Sequence, residues 1–336
     1  MGLHGRTARL VPVGWLTAVL AIVGVGVIVA GALMAARHQG TSVLSLRVAA
    51  SRVSVPAVAS SAASAPSAGK AAASAGQHEA TAPSGQSKAL PANPLGAAAA
   101  AYLATRRGVV AAAVYDLDSG TTWTIGGSIA PQDEASIVKV DILETLFARY
   151  GDGLPKADQG LAQQMIEDSD NDAATTLWNA AGAAGGIGAY NTAAGLTRTV
   201  PSACVSCPGF PWPGWGLTTT QPLDQLTLLR LLVRPNPLIS QADRSAALRL
   251  MQNVAPSQRW GVSGGVPTRV KVALKNGWLP LKATDTDWQI NSMGWISGLG
   301  RNYLIAVLTT RNPTEAYGID TIDGLSAMVW RELGDR

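Results

Sequence analysis

The stretch Ala135-Ser136-Ile137-Val138-Lys139-Val140-Asp141-Ile142-Leu143-Glu144-Thr145-Leu146 decides how the rest of the chain is read. Val138, Ile142 and Leu146 recur at helical spacing, and Ile137, Val140, Leu143 and Phe147 fill the other sides. A helix that is apolar nearly all round belongs in a core. This one carries Ser136 and Lys139 near its start, three residues apart and so on one face. Burying an ammonium is costly, so such a lysine must be paired or give up its proton. A neutral lysine beside a serine is a general base beside a nucleophile. The plainer alternative is a lysine that lays its stem along apolar surface next to an incidental serine.

Outward from this segment, the chain has 336 residues, 47% hydrophobic and 14% charged, with a net charge of +4. Its basic residues are scattered and form no stripe that would track phosphates, so nucleic-acid binding is not expected. Arg6 and Arg9 precede Val11 to Ala36, an uncharged apolar segment that Arg37 and His38 end. About 25 such residues are enough to cross a bilayer and exceed the core of a signal peptide. Residues 1–36 are therefore expected to be a single-pass membrane anchor, spanning through 11–36, with a cleaved signal as the alternative. The arginines before the span place the N-terminus in the cytoplasm and the bulk of the chain outside. Residues 37–94 are rich in Ala, Ser, Pro and Gly and cannot bury enough apolar surface to fold. They are expected to be a disordered linker, which leaves 95–336 as the folded domain.

Within that domain, Leu95 to Thr105 reads as a helix and Val109 to Tyr115 and Thr121 to Ile125 as strands. After the Ser136 segment, Leu161 to Glu167 and Ala173 to Ala180 read as helices, and Gly182 to Gly188 as a glycine-rich break. Leu196 to Leu217 is a long Pro-rich loop that holds Trp212 and Trp215. Thr218-Thr219-Thr220 with Pro222 reads as a threonine-capped helix start running to Val233, and Gln241 to Asn253 as a further helix. Val270, Val272 and Leu274 alternate, Trp288 to Ile296 and Tyr303 to Leu308 are further strands, and Gly318 to Leu333 is a closing amphipathic helix. Strands at both ends with helices between them predict an α+β fold. Its antiparallel sheet comes from both chain ends, flanked by helices as α/β/α, with a helical lobe packed against it.

Cys204 and Cys207 are the only cysteines. Zinc would need further ligands, and His4, His38 and His78 all precede the domain. Pro208 and Pro211 oppose the helix that a redox motif would open. A local disulfide that pins the Trp-rich loop is expected, which suits a domain outside the cytoplasm. The lack of histidine also excludes a Ser-His-Asp hydrolase. No metal or other cofactor is expected.

Two further motifs follow in order. Ser169-Asp170-Asn171 lies between two helices, where Ser169 with Asp172 also fits a capping box. Lys275-Asn276-Gly277 ends an alternating strand, where Asn-Gly also fits a hairpin turn. Alternation puts Lys271, Ala273 and Lys275 on one face and Val272 and Leu274 on the other. Ser-x-x-Lys, Ser-Asp-Asn and Lys-x-Gly in this order resemble the serine β-lactamase and penicillin-binding protein superfamily, its class A branch most closely, over about residues 95–336.

The resemblance implies a β-lactamase/transpeptidase-like fold and a role for each matching residue. Ser136 would be the acylated nucleophile and Lys139 the base that takes its proton. Ser169 would pass a proton to the leaving nitrogen, and Asn171 would bind the substrate amide. Lys275 would face a substrate carboxylate and lower the proton affinity of Lys139 and Ser169. Asn276 and Gly277 complete the substrate-binding motif. The backbone N–H groups of Ser136 and Trp278 would form the oxyanion hole, where each donor is worth about 3 kcal/mol in such enzymes.

Three departures stand out. Asn276 replaces the usual threonine or serine of Lys-x-Gly. The interval from Lys139 to Ser169 is short, which should open the cleft. Class A enzymes carry on their long loop a glutamate that activates the deacylating water, and Leu196 to Leu217 has no acidic residue. A positioned base contributes about 10²–10⁴-fold, so efficient β-lactam turnover is not expected. The sequence thus reads as a membrane-anchored, extracytoplasmic serine hydrolase, β-lactamase-like or DD-peptidase-like. It would act as a monomer on a β-lactam or a peptidoglycan peptide. The alternative is a non-catalytic envelope binding protein that keeps the fold. N-terminal sequencing of the mature protein should begin at or just after Met1, whereas a start near Ala36 would show a cleaved signal.

Overall fold

The computed structural model of the protein describes residues 92–209, 212–281 and 287–334. The expected anchor at 11–36 and most of the expected linker at 37–94 lie outside these residues. Among the described residues no helix is long and apolar enough to cross a membrane. The first half runs α1 (Ala97–Ala104), β1 (Val109–Asp116), β2 (Thr122–Ile125), β3 (Gln132–Asp133), a 3-10 turn (Ala135–Ile137) and α2 (Val138–Tyr150). It continues with α3 (Lys156–Gln163), a π-helical turn (Gln164–Asp168), α4 (Asn171–Ala180) and α5 (Ala183–Ala194). After a 3-10 turn at Gly214–Leu217 come β4 (Thr219–Thr220), α6 (Pro222–Val233), α7 (Gln241–Gln252) and another 3-10 turn at Pro256–Gln258. The chain closes with β5 (Lys271–Pro280), β6 (Trp288–Gly298), β7 (Arg301–Asn312) and α8 (Glu315–Glu332).

The sheet has the order β2-β1-β7-β6-β5 and every pairing in it is antiparallel. The central pairing joins the two ends of the domain, from Val109 opposite Thr310 to Asp116 opposite Tyr303. Alternation sends successive side chains to opposite faces, and each face has its own core. Ala113, Ala273, Met293 and Leu308 pack with the helices of the lobe, α2 central among them. Val114, Val272, Leu274 and Val307 pack with Ala99 of α1 and with Ile322, Leu325 and Val329 of α8. The expected α/β/α layering with a helical lobe is therefore the observed one. In α2, Ile142, Leu143 and Leu146 are fully buried, each worth roughly 1.5–3 kcal/mol of burial.

Several elements differ from the sequence reading. Gly182 to Gly188 is no break, because α5 begins at Ala183 and runs through it. Buried Ile187 and Tyr190 supply the tertiary contact that outweighs the poor helix propensity of glycine. Thr219 and Thr220 do not cap a helix. They form β4 against Gln132 and Asp133, and Gln221 precedes the helix, with Pro222 in its first turn. The helix expected from Leu161 begins earlier, at Lys156, and ends in the π-helical turn. No hairpin turn falls at Asn276-Gly277, since β5 continues to Pro280. A proline is tolerated there because β5 is a sheet edge.

The lobe also buries three carboxyl groups on or beside α2, namely Glu134, Asp141 and Glu144. Gln225 donates to Glu134 at 3.0 Å and the Tyr190 hydroxyl to Glu144 at 2.7 Å. Burial pushes all three up, and Asp141 rises from 3.8 to about 7. The folded protein thus keeps the Asp141 proton up to about pH 7, whereas the unfolded chain releases it near pH 4. Its contribution is complete below that lower pH and is lost as pH rises through the window. Asp141→Asn should therefore raise the Tm at pH 8 with little effect at pH 4, a differential on the order of a few kcal/mol. Thermal unfolding of both proteins across this range checks it.

Candidate active site

The site lies where the start of α2, the turn before α4 and the edge strand β5 meet. Ser136 sits in the 3-10 turn that leads into α2. The residue before it, Ala135, is buried and has a φ of 51°, a conformation most side chains avoid. Such a backbone persists only when its surroundings hold it. Strand β5 is part of that hold. A Cβ on Gly277 would lie 2.6 Å from the Ser136 nitrogen and 2.8 Å from the Ile137 nitrogen. Only glycine lets the strand pass this close to the serine turn.

Lys139 follows in the first turn of α2 and is fully buried. Its Nζ donates to the Ser169 carbonyl at 2.6 Å, to the Ser169 Oγ at 3.1 Å and to the Asn171 Oδ1 at 2.8 Å. The ring of Trp215 stands 5.0 Å from the same nitrogen. Lys275 on β5 is also fully buried and donates to the Ser169 Oγ at 2.9 Å and to the Asn276 carbonyl at 3.0 Å. Desolvation pushes Lys139 from 10.5 down to about 7, against a smaller opposing effect of Asp170. Desolvation, and then the neighbouring Lys139, push Lys275 well below its ordinary value. The Ser169 oxygen accepts from both lysines, so its own proton remains free to be donated.

Ser169 can do this because it is not the helix cap. Asp170 caps α4, its side chain accepting from the Ala173 N–H at 2.7 Å. Ser169 itself has a φ of 58° and a ψ of 33°, which turns the chain between the π-helical turn and α4. The structure therefore brings Ser136, Lys139, Ser169, Asn171, Lys275 and Gly277 to one place. Trp278 is half-buried near the end of β5 and meets Trp260 edge-on at 5.9 Å.

Asn276 is the exception. Its side chain lies on the opposite face of β5, fully buried. The amide nitrogen donates to the carbonyls of Gln258 at 2.7 Å and Trp260 at 3.1 Å, and Oδ1 accepts from Ser292 at 2.6 Å. Both amide hydrogens are used, so the expected contact between this side chain and a substrate is corrected by strand alternation.

The cleft over Ser136 is lined by Asn171, Trp212, Trp215 and Trp278. Trp212 donates to Asp172 at 3.3 Å and Trp215 to Thr175 at 3.2 Å, so both indole N–H groups are held by α4. Cys204 and Cys207 are joined in a disulfide. The Gly214 N–H donates to the Cys204 carbonyl at 2.7 Å, which ties this short loop to the backbone next to Trp215. Sequence reasoning did not find Gln258, whose side chain reaches the Asp168 carbonyl at 2.7 Å from 90 residues away. A lone glutamine in a loop carries no spacing signal.

The description of the beta-lactamase enzyme family matches residues 159–333, more than half of the chain. That match begins after Ser136 and Lys139. No curated protein is similar enough in sequence to match. Among solved structures, a beta-lactamase from Chitinophaga pinensis DSM 2588 is similar at a TM-score of 0.61 and 20% identity, over 69% of this chain and 96% of that one. A class A beta-lactamase from Bacteroides cellulosilyticus DSM 14838 gives 0.60 and 17%, over 70% and 95%. PBP-A gives 0.57 and 21%, over 68% and 91%. At these identities the likeness is one of fold.

Gly277→Ala should push β5 off the serine turn. Overpacking of this kind costs about 1–3 kcal/mol, and an ångström of displacement costs about 10²-fold in reaction rate. Thermal unfolding together with labelling of Ser136 by a fluorophosphonate checks both.

Proposed function

This chain belongs to the beta-lactamase enzyme family, and from that premise we propose that Ser136 is acylated by a β-lactam or a peptidoglycan peptide and that the acyl-enzyme is released slowly. The observation that carries the reading is the meeting of two buried lysines on the Ser169 hydroxyl, one of them, Lys139, three residues after Ser136. A lysine with its proton affinity near neutrality exists partly as a free amine, which is what a general base requires. Lys139 takes the Ser136 proton as Oγ attacks the carbonyl carbon. The N–H groups of Ser136 and Trp278 receive the oxyanion. Ser169 gives its proton to the leaving nitrogen as the C–N bond breaks, and is reprotonated from the lysine side. Asn171 binds the substrate amide.

Slow release rests on the chemistry of the loop. Residues 196–217 carry no carboxylate, and the Trp215 ring stands 5.0 Å from the Lys139 amine. Without that base, deacylation should lose about 10²–10⁴-fold. A leucine-to-glutamate mutant of PBP-A has been captured as an acyl-enzyme complex with penicillin G, which supports the acylation half of this reading. The disulfide favours an oxidising compartment, in line with a domain held outside the membrane by residues 11–36.

Intact-protein mass followed over time with benzylpenicillin tests the proposal, with Ser136→Ala as control. The wild type should gain one penicillin mass on Ser136, lasting seconds to minutes, and the control none. Adduct formation should accelerate as pH rises through about 7, where Lys139 loses its proton. Fast turnover without an adduct would overturn slow release. The absence of an adduct with several β-lactams would favour the non-catalytic binding protein.

A further inference from the structure

We propose that Asn276 and Gln258 form a strut that holds the Ser169 turn in its working position, which makes both positioning residues for the acylation read above. The inference rests on that reading for its consequence and on geometry for its substance. Starting at Lys275, the peptide bond leads to Asn276, whose amide donates to the Gln258 carbonyl at 2.7 Å. The Gln258 side chain donates to the Asp168 carbonyl at 2.7 Å. The next residue is Ser169, and its hydroxyl accepts from Lys275 at 2.9 Å. The path closes on itself. One ring of peptide bonds and hydrogen bonds therefore fixes both sides of the Lys275 to Ser169 contact.

Two observations show why the turn needs such support. Ser169 adopts a left-handed conformation, with a φ of 58°. A non-glycine residue there is strained and stays only where neighbours over-determine it. The segment around Gln258 supplies a second tie, since the Ala255 N–H donates to the Glu167 carbonyl at 2.9 Å. That segment is itself stitched to the sheet and to α8. Ser292 donates to the Asn276 Oδ1 at 2.6 Å and accepts from the Val262 N–H at 2.9 Å, and the Gly261 N–H donates to Asp323 at 2.5 Å.

The strut explains the departure at position 276. An asparagine amide offers two hydrogens, and it uses them on the Gln258 and Trp260 carbonyls. A threonine hydroxyl offers one, so at least one buried carbonyl would lose its partner. Asn276→Thr restores the residue usual in the family motif, and the strut requires that it harm the site. A substrate-binding Asn276 would require the reverse.

The test uses the full chain with Asn276→Thr, with Gln258→Met, which keeps side-chain length and removes the donor, and with both together. Benzylpenicillin adduct formation is followed across pH, and hydrogen exchange is read over residues 164–171 and over α8. Each single variant should slow acylation about 10–100-fold. The double variant should be close to the slower single, because both cut one path. The pH midpoint of acylation should move up as water reaches Lys139. Exchange over 164–171 should quicken while α8 keeps its protection. Wild-type acylation by Asn276→Thr with unchanged exchange at 164–171 would overturn the strut and leave the acylation reading standing. Absence of an adduct in the wild type would remove the acylation reading, and the exchange data would still decide the strut.

Discussion

Two lysines share the interior between the sheet and the helical lobe, and the hydroxyl of Ser169 stands between them. Removing an ammonium from water costs several kcal/mol even after relaxation, and placing a second beside it adds repulsion. The structure meets this by lowering the proton affinity of both amines and giving each of them oxygen acceptors. Lys139 reaches a serine carbonyl, a serine hydroxyl and an asparagine carbonyl oxygen, and Lys275 reaches the same hydroxyl and a strand carbonyl. Each acceptor comes from a backbone position that must be held: the left-handed turn at Ser169, the cap at Asp170, the edge strand at Asn276. The lysine pair therefore depends on the tertiary structure at the turn of Ser169 and Asp170 and at the edge strand.

Those points belong to different parts of the chain. The serine turn opens α2, the Ser169 turn joins the π-helical turn to α4, and β5 is the edge of the sheet. Glycine at 277 sets how near β5 comes to the serine turn. The segment at 255–262 sets how the Ser169 turn is held from behind. An edge strand suits this use because one of its sides has no sheet partner and is free to face the lobe.

The wall opposite β5 has a different character. Trp212 and Trp215 are tied by their indole N–H groups to α4, and the disulfide shapes the loop that carries them. The Trp215 ring stands 5.0 Å from the Lys139 amine, and an indole offers no base to activate water. A site built in this way sets a serine beside two buried lysines and has no carboxylate on the loop at 196–217. That asymmetry is the reason for proposing a persistent acyl-enzyme.

The sequence by itself determined the composition of the sheet, the central buried helix, the disulfide loop and most of the residues that meet at the site. These are legible because they rest on local period and on ordered motifs: alternation in β5 to β7, helical spacing in α2, and Ser136, Lys139, Ser169 and Lys275 in their order. The tertiary structure alone decided the rest. The glycine-rich run from Gly182 became a helix because Ile187 and Tyr190 found a core to enter. Asp170 took the cap, which freed the Ser169 hydroxyl for the lysines. Asn276 faced away from the cleft because its neighbour Lys275 faced toward it, and two carbonyls from a loop met it there. Contacts of this kind join residues far apart in the chain through single hydrogen bonds, which have no period and no spacing to read.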